Sequence, residues 1–338
     1  MIGQAPAFWS RRNSLMGWAL SPIGALVGAV TLKRMAGPST GVPVPVICIG
    51  NPTVGGSGKT PTALMVLARL QEQGARPFAL LRGHGGRLAG PVLVDPQTHT
   101  AADVGDEALL LAQAAPTVVS RDRPAGAAHA VALGASHVVM DDGFQNPSLA
   151  KDVSLLVIDG EAGVGNGRVL PAGPLRAPLA PQLDRADALL VAGGGRCADA
   201  LGKLARSHGK VVLRGQVRPD PSVIATLEAG TVLAFAGIGR PQKLADTLAA
   251  AGVRIGRLQP FPDHHPYQPS DIALLIAEAA RERWQLVTTT KDHVRLADRR
   301  FADMAGAITA LPVTMQLDAP EALDDLLRLS EARAAARS

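Results

Sequence analysis

Apolar runs and their spacing set out the elements of this chain. From Asn13 to Leu32 no residue is charged, while Arg11 and Arg12 precede the stretch and Lys33 and Arg34 follow it. As one helix it would measure about 30 Å, just enough to span a bilayer. Three Gly, Pro22 and several Ser and Ala weaken it as a span, whereas Leu15, Trp18, Leu26 and the basic flanks suit a helix lying in a membrane interface. Two other readings stay open: a helix that packs on the protein, and an export segment, because Ser10-Arg11-Arg12 resembles a twin-arginine signal. After a Pro-rich linker at 37–45, short apolar runs recur at Val46–Ile49, Phe78–Leu81, Thr117–Ser120, Ser136–Met140 and Leu155–Asp159. Segments with helical spacing separate them, such as the one carrying Leu64, Leu67 and Leu70, and another from about Gly105 to Ala114. Repeated βα units predict a parallel sheet covered on both faces.

The alternation continues through Asp187–Val191, Val211–Leu213, Val232–Ala236 and Leu286–Thr289, with helices predicted over 241–251 and 269–283. The expected fold is α/β: an N-terminal membrane-interacting helix at 1–40, a P-loop nucleotide-binding sheet domain at 41–209, and a second, smaller α/β lobe at 210–338. The length of 338 residues fits two such domains. Aromatic residues make up only 3%, too few for the stacking platforms of a single-strand binder, so no nucleic-acid partner is expected. The net charge of +5, carried mostly by scattered Arg, suits an acidic substrate or an anionic lipid surface. Cys48 and Cys197 form neither a disulfide framework nor a CxxC site, which points to a reducing compartment.

Strand Val46–Ile49 runs into Gly50-Asn-Pro-Thr-Val-Gly-Gly-Ser-Gly-Lys-Thr60, followed by a helical pattern. Strand, glycine loop and helix together make a phosphate cradle. Backbone N–H groups across Thr53, Val54, Gly55, Gly56, Ser57 and Gly58 surround phosphate oxygens, Lys59 reaches the β/γ-phosphates, and Thr60 holds Mg²⁺. The loop is a variant, with Thr53 where the strict pattern has Gly and Val54 where partitioning ATPases carry a signature Lys.

Polar residues directly after a strand collect at one edge of such a sheet. Asp141 and Asp142 follow Val138–Met140 as a Walker B pair for Mg²⁺, with Asp159 as rival. Arg82-Gly-His-Gly-Gly-Arg87 is either an anion-contacting loop or a solvated turn. In Asp103-Val-Gly-Asp106-Glu107 the acids either cap a helix or supply a general base. The long Gly165–Arg176 stretch reads as a functional loop. Phe261-Pro-Asp-His-His-Pro-Tyr267 reads as a His–Asp element facing a cleft, a surface turn or a metal site.

Together these motifs resemble the tetraacyldisaccharide 4′-kinases, the lipid A 4′-kinases of Gram-negative bacteria. The resemblance rests on seven ordered segments: the phosphate loop through Pro61, Arg82–Gly86, Val104–Glu107, Asp141–Gln145, Gly165–Arg176, Phe261–His265 and Thr289–Asp292. It implies transfer of the ATP γ-phosphate to the 4′-hydroxyl of an acylated glucosamine disaccharide 1-phosphate, forming lipid IVA at the cytoplasmic face of the inner membrane. It also implies ATP and Mg²⁺ as cofactors, two lobes joined by a β-stranded hinge, and no obligate protein partner. On matched positions, Asp106 and His264 become an Asp–His base pair; Lys59, counted with them as catalytic, and Thr60 become the phosphate and Mg²⁺ residues, and Asp141 and Asp142 the metal-linked carboxylates. Arg82, Arg123, Gln145 and Arg176 become substrate or phosphate contacts. His84, Asn146, Ala177 and Thr290 depart from the family's usual residues. The alternative from another class is a P-loop regulatory or metal-chaperone NTPase acting on a protein; a soluble-acid ligase is weaker still.

Overall fold

The computed structural model describes residues 6–337. Thirteen strands are found among these residues: β1 (Val46–Gly50), β2 (Pro77–Leu81), β3 (Val92–Leu93), β4 (Thr117–Val119), β5 (His137–Asp141), β6 (Val153–Asp159), β7 (Ala188–Ala192), β8 (Val211–Pro219), β9 (Thr231–Ala236), β10 (Arg254–Pro260), β11 (Gln285–Thr289), β12 (Ile308–Leu311) and β13 (Val313–Leu317). They form two sheets. The larger has the order β13-β8-β7-β6-β1-β5-β2-β4-β3 and the smaller β10-β9-β11-β12. All pairings are parallel except those of the two outermost strands of the large sheet, β13 with β8 and β3 with β4. The expected α/β fold with a P-loop-type parallel sheet and a second lobe is what forms.

Burial explains why the central strands read as unbroken apolar runs. Every residue of β1, β2, β5, β6 and β7 is buried, because helices cover both faces. One core forms around Ile49, Val66, Leu67, Leu155 and Val157, and the other around Cys48, Phe78, Met140 and Leu156. β1 lies between β5 and β6, so the loop after β1 is flanked by Asp141 at the end of one neighbour and Asp159 at the end of the other.

The sheets do not divide at the boundary expected near residue 209. β8 continues the βα repeat and pairs with β7, and after the small lobe the chain returns through β13 and helix Glu321–Arg337 to pack on the large core. The small sheet thus occupies an insertion between β8 and β13. Its two connections meet where the Asp220 N–H donates to the Pro312 carbonyl at 2.9 Å.

The expected single helix over Asn13–Leu32 is instead two, Leu15–Ala19 and Ser21–Met35. Leu20 closes the first, and Pro22, in the first turn of the second, has a fixed φ that suits a helix start and no N–H to continue the preceding one. Gly17 and Gly24 on the inner side lie against Asn166 and Val169, and Gly28 lies against Pro178. A Cβ at Gly24 would stand 2.7 Å from the Val169 carbonyl, so only Gly permits this approach. Leu15, Met16, Trp18, Ile23, Leu26 and Val30 face outward and are exposed. Among the described residues no helix is long and apolar enough to cross a membrane.

Candidate active site

The phosphate loop owes its shape to left-handed glycines. Gly55 and Gly58 have φ of 106° and 95°, and Gly58 caps helix Lys59–Glu72, whose free N–H groups and dipole point into the loop. Lys59 is held by Asn51 Oδ1 at 3.1 Å and Asp142 Oδ1 at 3.4 Å. Thr53 and Val54 are differently employed from the expectation. The Val54 N–H donates to the Pro174 carbonyl, and the Thr53 carbonyl accepts from Arg176 Nε at 3.3 Å. Both residues tie the loop to the Gly165–Arg176 segment; Val54 still lines the cleft along with Gly55, Gly56, Ser57, Gly58 and Thr60, and Thr53 does not. That segment touches the N-terminal helices as well: Trp9 Nε1 donates to the Pro171 carbonyl and Arg168 to Ser21 Oγ.

Asp141 ends β5, and Asp142 follows it in a left-handed conformation with φ 54°. Both oxygens of Asp141 and Ser57 Oγ are buried without a hydrogen-bond partner, and the buried Asp142 Oδ1 has only the 3.4 Å ion pair with Lys59. Burial, reinforced by the charge of Glu107, pushes the Asp141 carboxyl well above the usual carboxylate range. Burial also opposes ionisation of Asp142, but Lys59 and Arg176, the latter at 3.2 Å, outweigh it and lower its pKa. Unpartnered carboxylate oxygens beside a phosphate loop are a strained arrangement for a protein alone and fit a hard divalent cation shared with phosphate. The adjacent pair, not Asp159, has the free oxygens.

Asp159 is engaged elsewhere. Its Oδ1 accepts the N–H groups of Glu161 and Ala162, and its Oδ2 meets Arg240 and Lys243 of the small lobe, each at 2.5 Å.

Asp106 begins helix Asp106–Ala112 and is 5% exposed. From the small lobe His264 Nδ1 reaches its Oδ2 at 3.1 Å, and Arg295 donates to the same oxygen through Nε at 2.8 Å and through Nη2. Burial raises the Asp106 pKa, yet the His264 hydrogen bond and the charges of Lys291 and Arg295 prevail and hold the carboxyl far below its ordinary range. Lys291 pairs with Glu107 at 3.0 Å. Asp106 therefore sits behind His264, and the imidazole is the member of the pair that lines the cleft. His84, from the Arg82–Arg87 loop, stands edge-on to His264 with centroids 5.7 Å apart, so a ring occupies this place despite the departure. Of the other departures, Ala177 is buried, Asn146 holds a turn by accepting from Ser148, and Thr290 donates to the Leu311 carbonyl.

The remaining predicted residues, Arg82, Arg123, Gln145 and Arg176, all line the cleft, and some of them brace its wall as well. Arg82 is exposed and lines the cleft. Arg123 is buried and donates to the Ser120 and Asp142 carbonyls, which fixes the backbone beneath the carboxylate pair. Gln145 donates to the Asn51 carbonyl and to Gln182 Oε1, both at 2.9 Å, so its amide is spent on holding the loop. The cleft between the lobes measures about 2540 Å³ and is lined by Lys59, Asp141, Asp142, Arg176 and His264 together. Sequence reasoning did not find Arg295, which is only 8% exposed and reaches Asp106 from 189 residues away. No local motif carries such a contact.

A family model described as "Tetraacyldisaccharide-1-P 4'-kinase" (LpxK) matches residues 16–331. Named relatives include the tetraacyldisaccharide 4′-kinase of Azorhizobium caulinodans, 98% identical over 338 residues and covering 100% of both chains. That of Xanthobacter autotrophicus is 56% identical over 340 residues, with 99% of each covered. Among solved structures, LpxK from Aquifex aeolicus in complex with ATP superposes with a TM-score of 0.73 at 26% identity, covering 94% of this chain and 100% of that one. Sequence relatives, family model and fold agree, and the chain belongs to the tetraacyldisaccharide 4′-kinase family.

Proposed function

We propose that this enzyme transfers the γ-phosphate of ATP to the 4′-hydroxyl of a tetraacylated glucosamine disaccharide 1-phosphate, giving lipid IVA for lipid A synthesis. The observation that carries this reading is the meeting of three groups at one cleft between the lobes: the Lys59 loop, the unpartnered Asp141 oxygens beside Asp142, and the Asp106–His264 pair. Membership of the family also removes the ground for a switch-type NTPase.

Phosphoryl transfer asks a protein mainly for positioning and charge neutralisation. The loop N–H groups and Lys59 hold the triphosphate, and Arg82 and Arg176, from the same lobe, add positive charge beside them. Asp141, Asp142 and Thr60 would hold Mg²⁺, which supplies neutralisation of the β- and γ-phosphate oxygens when bound. The sugar hydroxyl loses its proton to the Asp106–His264 pair as the new P–O bond forms and the bond from the γ-phosphorus to the β,γ-bridging oxygen breaks, releasing ADP. With Nδ1 donating to Asp106, His264 has its other nitrogen for the hydroxyl, while Asp106, whose Oδ2 already takes three contacts, keeps the ring aligned. This division departs from the expectation that Asp106 takes the proton itself.

The acyl chains belong to the membrane. The outward apolar residues of the two N-terminal helices, flanked by exposed Arg11, Arg12, Lys33 and Arg34, suit insertion at the surface of an anionic leaflet, with the cleft on the ATP-containing cytoplasmic side of the inner membrane. The test is a transfer assay with γ-labelled ATP, Mg²⁺ and detergent-solubilised tetraacyldisaccharide 1-phosphate, run beside Lys59→Ala. Labelled lipid from the wild type alone is the expected result. ATP hydrolysis indifferent to lipid would overturn the reading.

A further inference from the structure

The sequence leaves Asp159 between two roles, Mg²⁺ ligand or strand end, and the structure gives it neither alone. It stands at the end of β6, on the side of the phosphate loop opposite Asp141. Two cations of the small lobe converge on its Oδ2. Arg240 follows Gly239, and Lys243 lies in the first turn of helix Gln242–Ala250. Both cations also reach the loop itself: Arg240 Nη2 donates to the Gly56 carbonyl at 3.1 Å and Lys243 Nζ to the same oxygen at 3.4 Å. A Cβ built on Gly239 would lie 3.9 Å from the Gly56 nitrogen, so the small lobe sits directly over the loop here.

Charge counting shows that a lobe clasp is an incomplete account. One carboxylate meets two cations, and Glu161, the next acid along, is paired with Arg196. Asp263 lies nearby, against Gly239, but bonds neither cation, so the second cation has no carboxylate of its own at the mouth of a loop built to receive a triphosphate. A clasp serving stability alone needs only one cation, and a second on the same carboxylate adds repulsion between the two. An anion entering the loop would give the second cation a partner of its own. By holding the Gly56 carbonyl, the same donors turn that peptide so its oxygen faces the small lobe, away from the phosphate side.

Resting on the ATP-kinase reading above, we propose that Arg240 and Lys243 are the small lobe's own contact with the nucleotide phosphates. Asp159 holds them in place above the loop until ATP is bound, and the excess charge couples lobe closure to occupancy of the β- and γ-phosphate positions. They are positioning residues: they act on the phosphates and on the loop, while proton transfer stays with the Asp106–His264 pair.

The test compares wild type, the double variant Arg240→Ala/Lys243→Ala and Asp159→Asn by calorimetric titration with Mg·ATP and, separately, with AMP, thermal melts confirming that each is folded. Asp159→Asn retains an oxygen for the Glu161 and Ala162 N–H groups while removing the charge. The double variant should bind ATP roughly tenfold or more weakly, the loss of at least one charge-assisted contact, and its ATP affinity should fall less steeply with salt. AMP affinity should not change. Asp159→Asn should bind ATP at least as tightly as wild type, because the cations are released toward the phosphates. Equal weakening in Asp159→Asn and the double variant would make the trio a structural clasp and overturn the proposal, as would a loss that is the same for ATP and AMP or no loss at all. A wild type that binds no ATP would instead sink the kinase reading, and this one with it.

Discussion

The two lobes are tied at both ends of the cleft, and the ties are built differently. At the proton-transfer end Arg295 and Asp292 are 8% and 0% exposed, and Asp106 is buried with them. Arg295 donates to Asp106, to Asp292 Oδ1 at 2.7 Å and to the Gly237 carbonyl, while Tyr267 and Thr289 hydroxyls complete Asp292. At the phosphate end Arg240 and Lys243 are 37% and 44% exposed and share a single carboxylate. The buried tie has its donors matched to acceptors, so it gains nothing from a ligand and serves to fix geometry. The half-exposed tie carries surplus charge and answers to what enters the cleft and to salt. Rigidity lies where a proton must be passed over a short distance, and adaptability where a charged ligand comes and goes.

The comparison breaks first at the buried end. Asp106→Ala should lower kcat by roughly 10²- to 10⁴-fold, the usual worth of acid–base catalysis, with little change in KM for ATP. His264→Ala should fall in the same range, and the double variant should lose scarcely more than either single one, since the pair acts as a unit. Losses that multiply in steady-state assays would show that the two residues work separately.

Arg295→Ala comes next, and its effect is on stability as well as rate. Removing the cation leaves two buried carboxylates facing each other's field. Breaking such a pair costs about 3–5 kcal/mol, to be read from denaturant melts. Arg295→Lys should recover part of the stability but not the two-pronged contact with Asp106. A melt unchanged by Arg295→Ala would mean that the tie at this end is no more rigid than the other.

A smaller effect should follow from Gly24→Val. The added side chain meets the Val169 carbonyl, so the N-terminal helices must shift off the Gly165–Arg176 segment. Because that segment holds Val54 and Thr53 from its other side, lipid phosphorylation should fall by more than vesicle binding does. Leu26→Glu, on the exposed side, should do the reverse and reduce sedimentation with anionic vesicles. Equal effects on both readouts would deny the mechanical link between helix and loop.

What is legible in the chain follows the same contrast. Strands buried on both faces announce themselves as apolar runs, and residues ending those strands, Asp141 and the Lys59 loop, are placed by the rule that ligands gather there. β10, Arg-Ile-Gly-Arg-Leu-Gln-Pro, is an edge strand largely open to solvent and has no such run, so sequence reasoning passes over it. β13 and the Glu321–Arg337 helix return to a sheet begun far upstream, which no local pattern can foretell. Asp106 and His264 can be paired from the sequence only because whole motifs resemble a family; Arg295, Arg240 and Lys243, whose partners are set by lobe packing, cannot. Gln145, Thr53 and Val54 lie in site motifs and so read as ligand contacts, whereas their polar groups are used to brace the loop.

The smallest effect concerns acid, and it sharpens the distinction between the ties. Burial raises the Asp159 pKa, but Arg240 and Lys243 overcome it and bring the carboxyl from 3.8 to about 2. A carboxyl with a depressed folded pKa adds stability that is fully present above 3.8 and fades as pH falls toward about 2. Asp159→Asn removes that contribution, so the wild type should be the more stable of the two at about pH 5, and their melts should draw together as the pH falls below about 4. Because both cations are more than a third exposed, solvent screens the pair and the gap should be modest even at its widest, and narrower again in high salt. A gap that is large and indifferent to salt would place this end of the cleft in the same class as the Asp106 end, and the lobes would then be locked at both ends with no site for an entering anion to act upon.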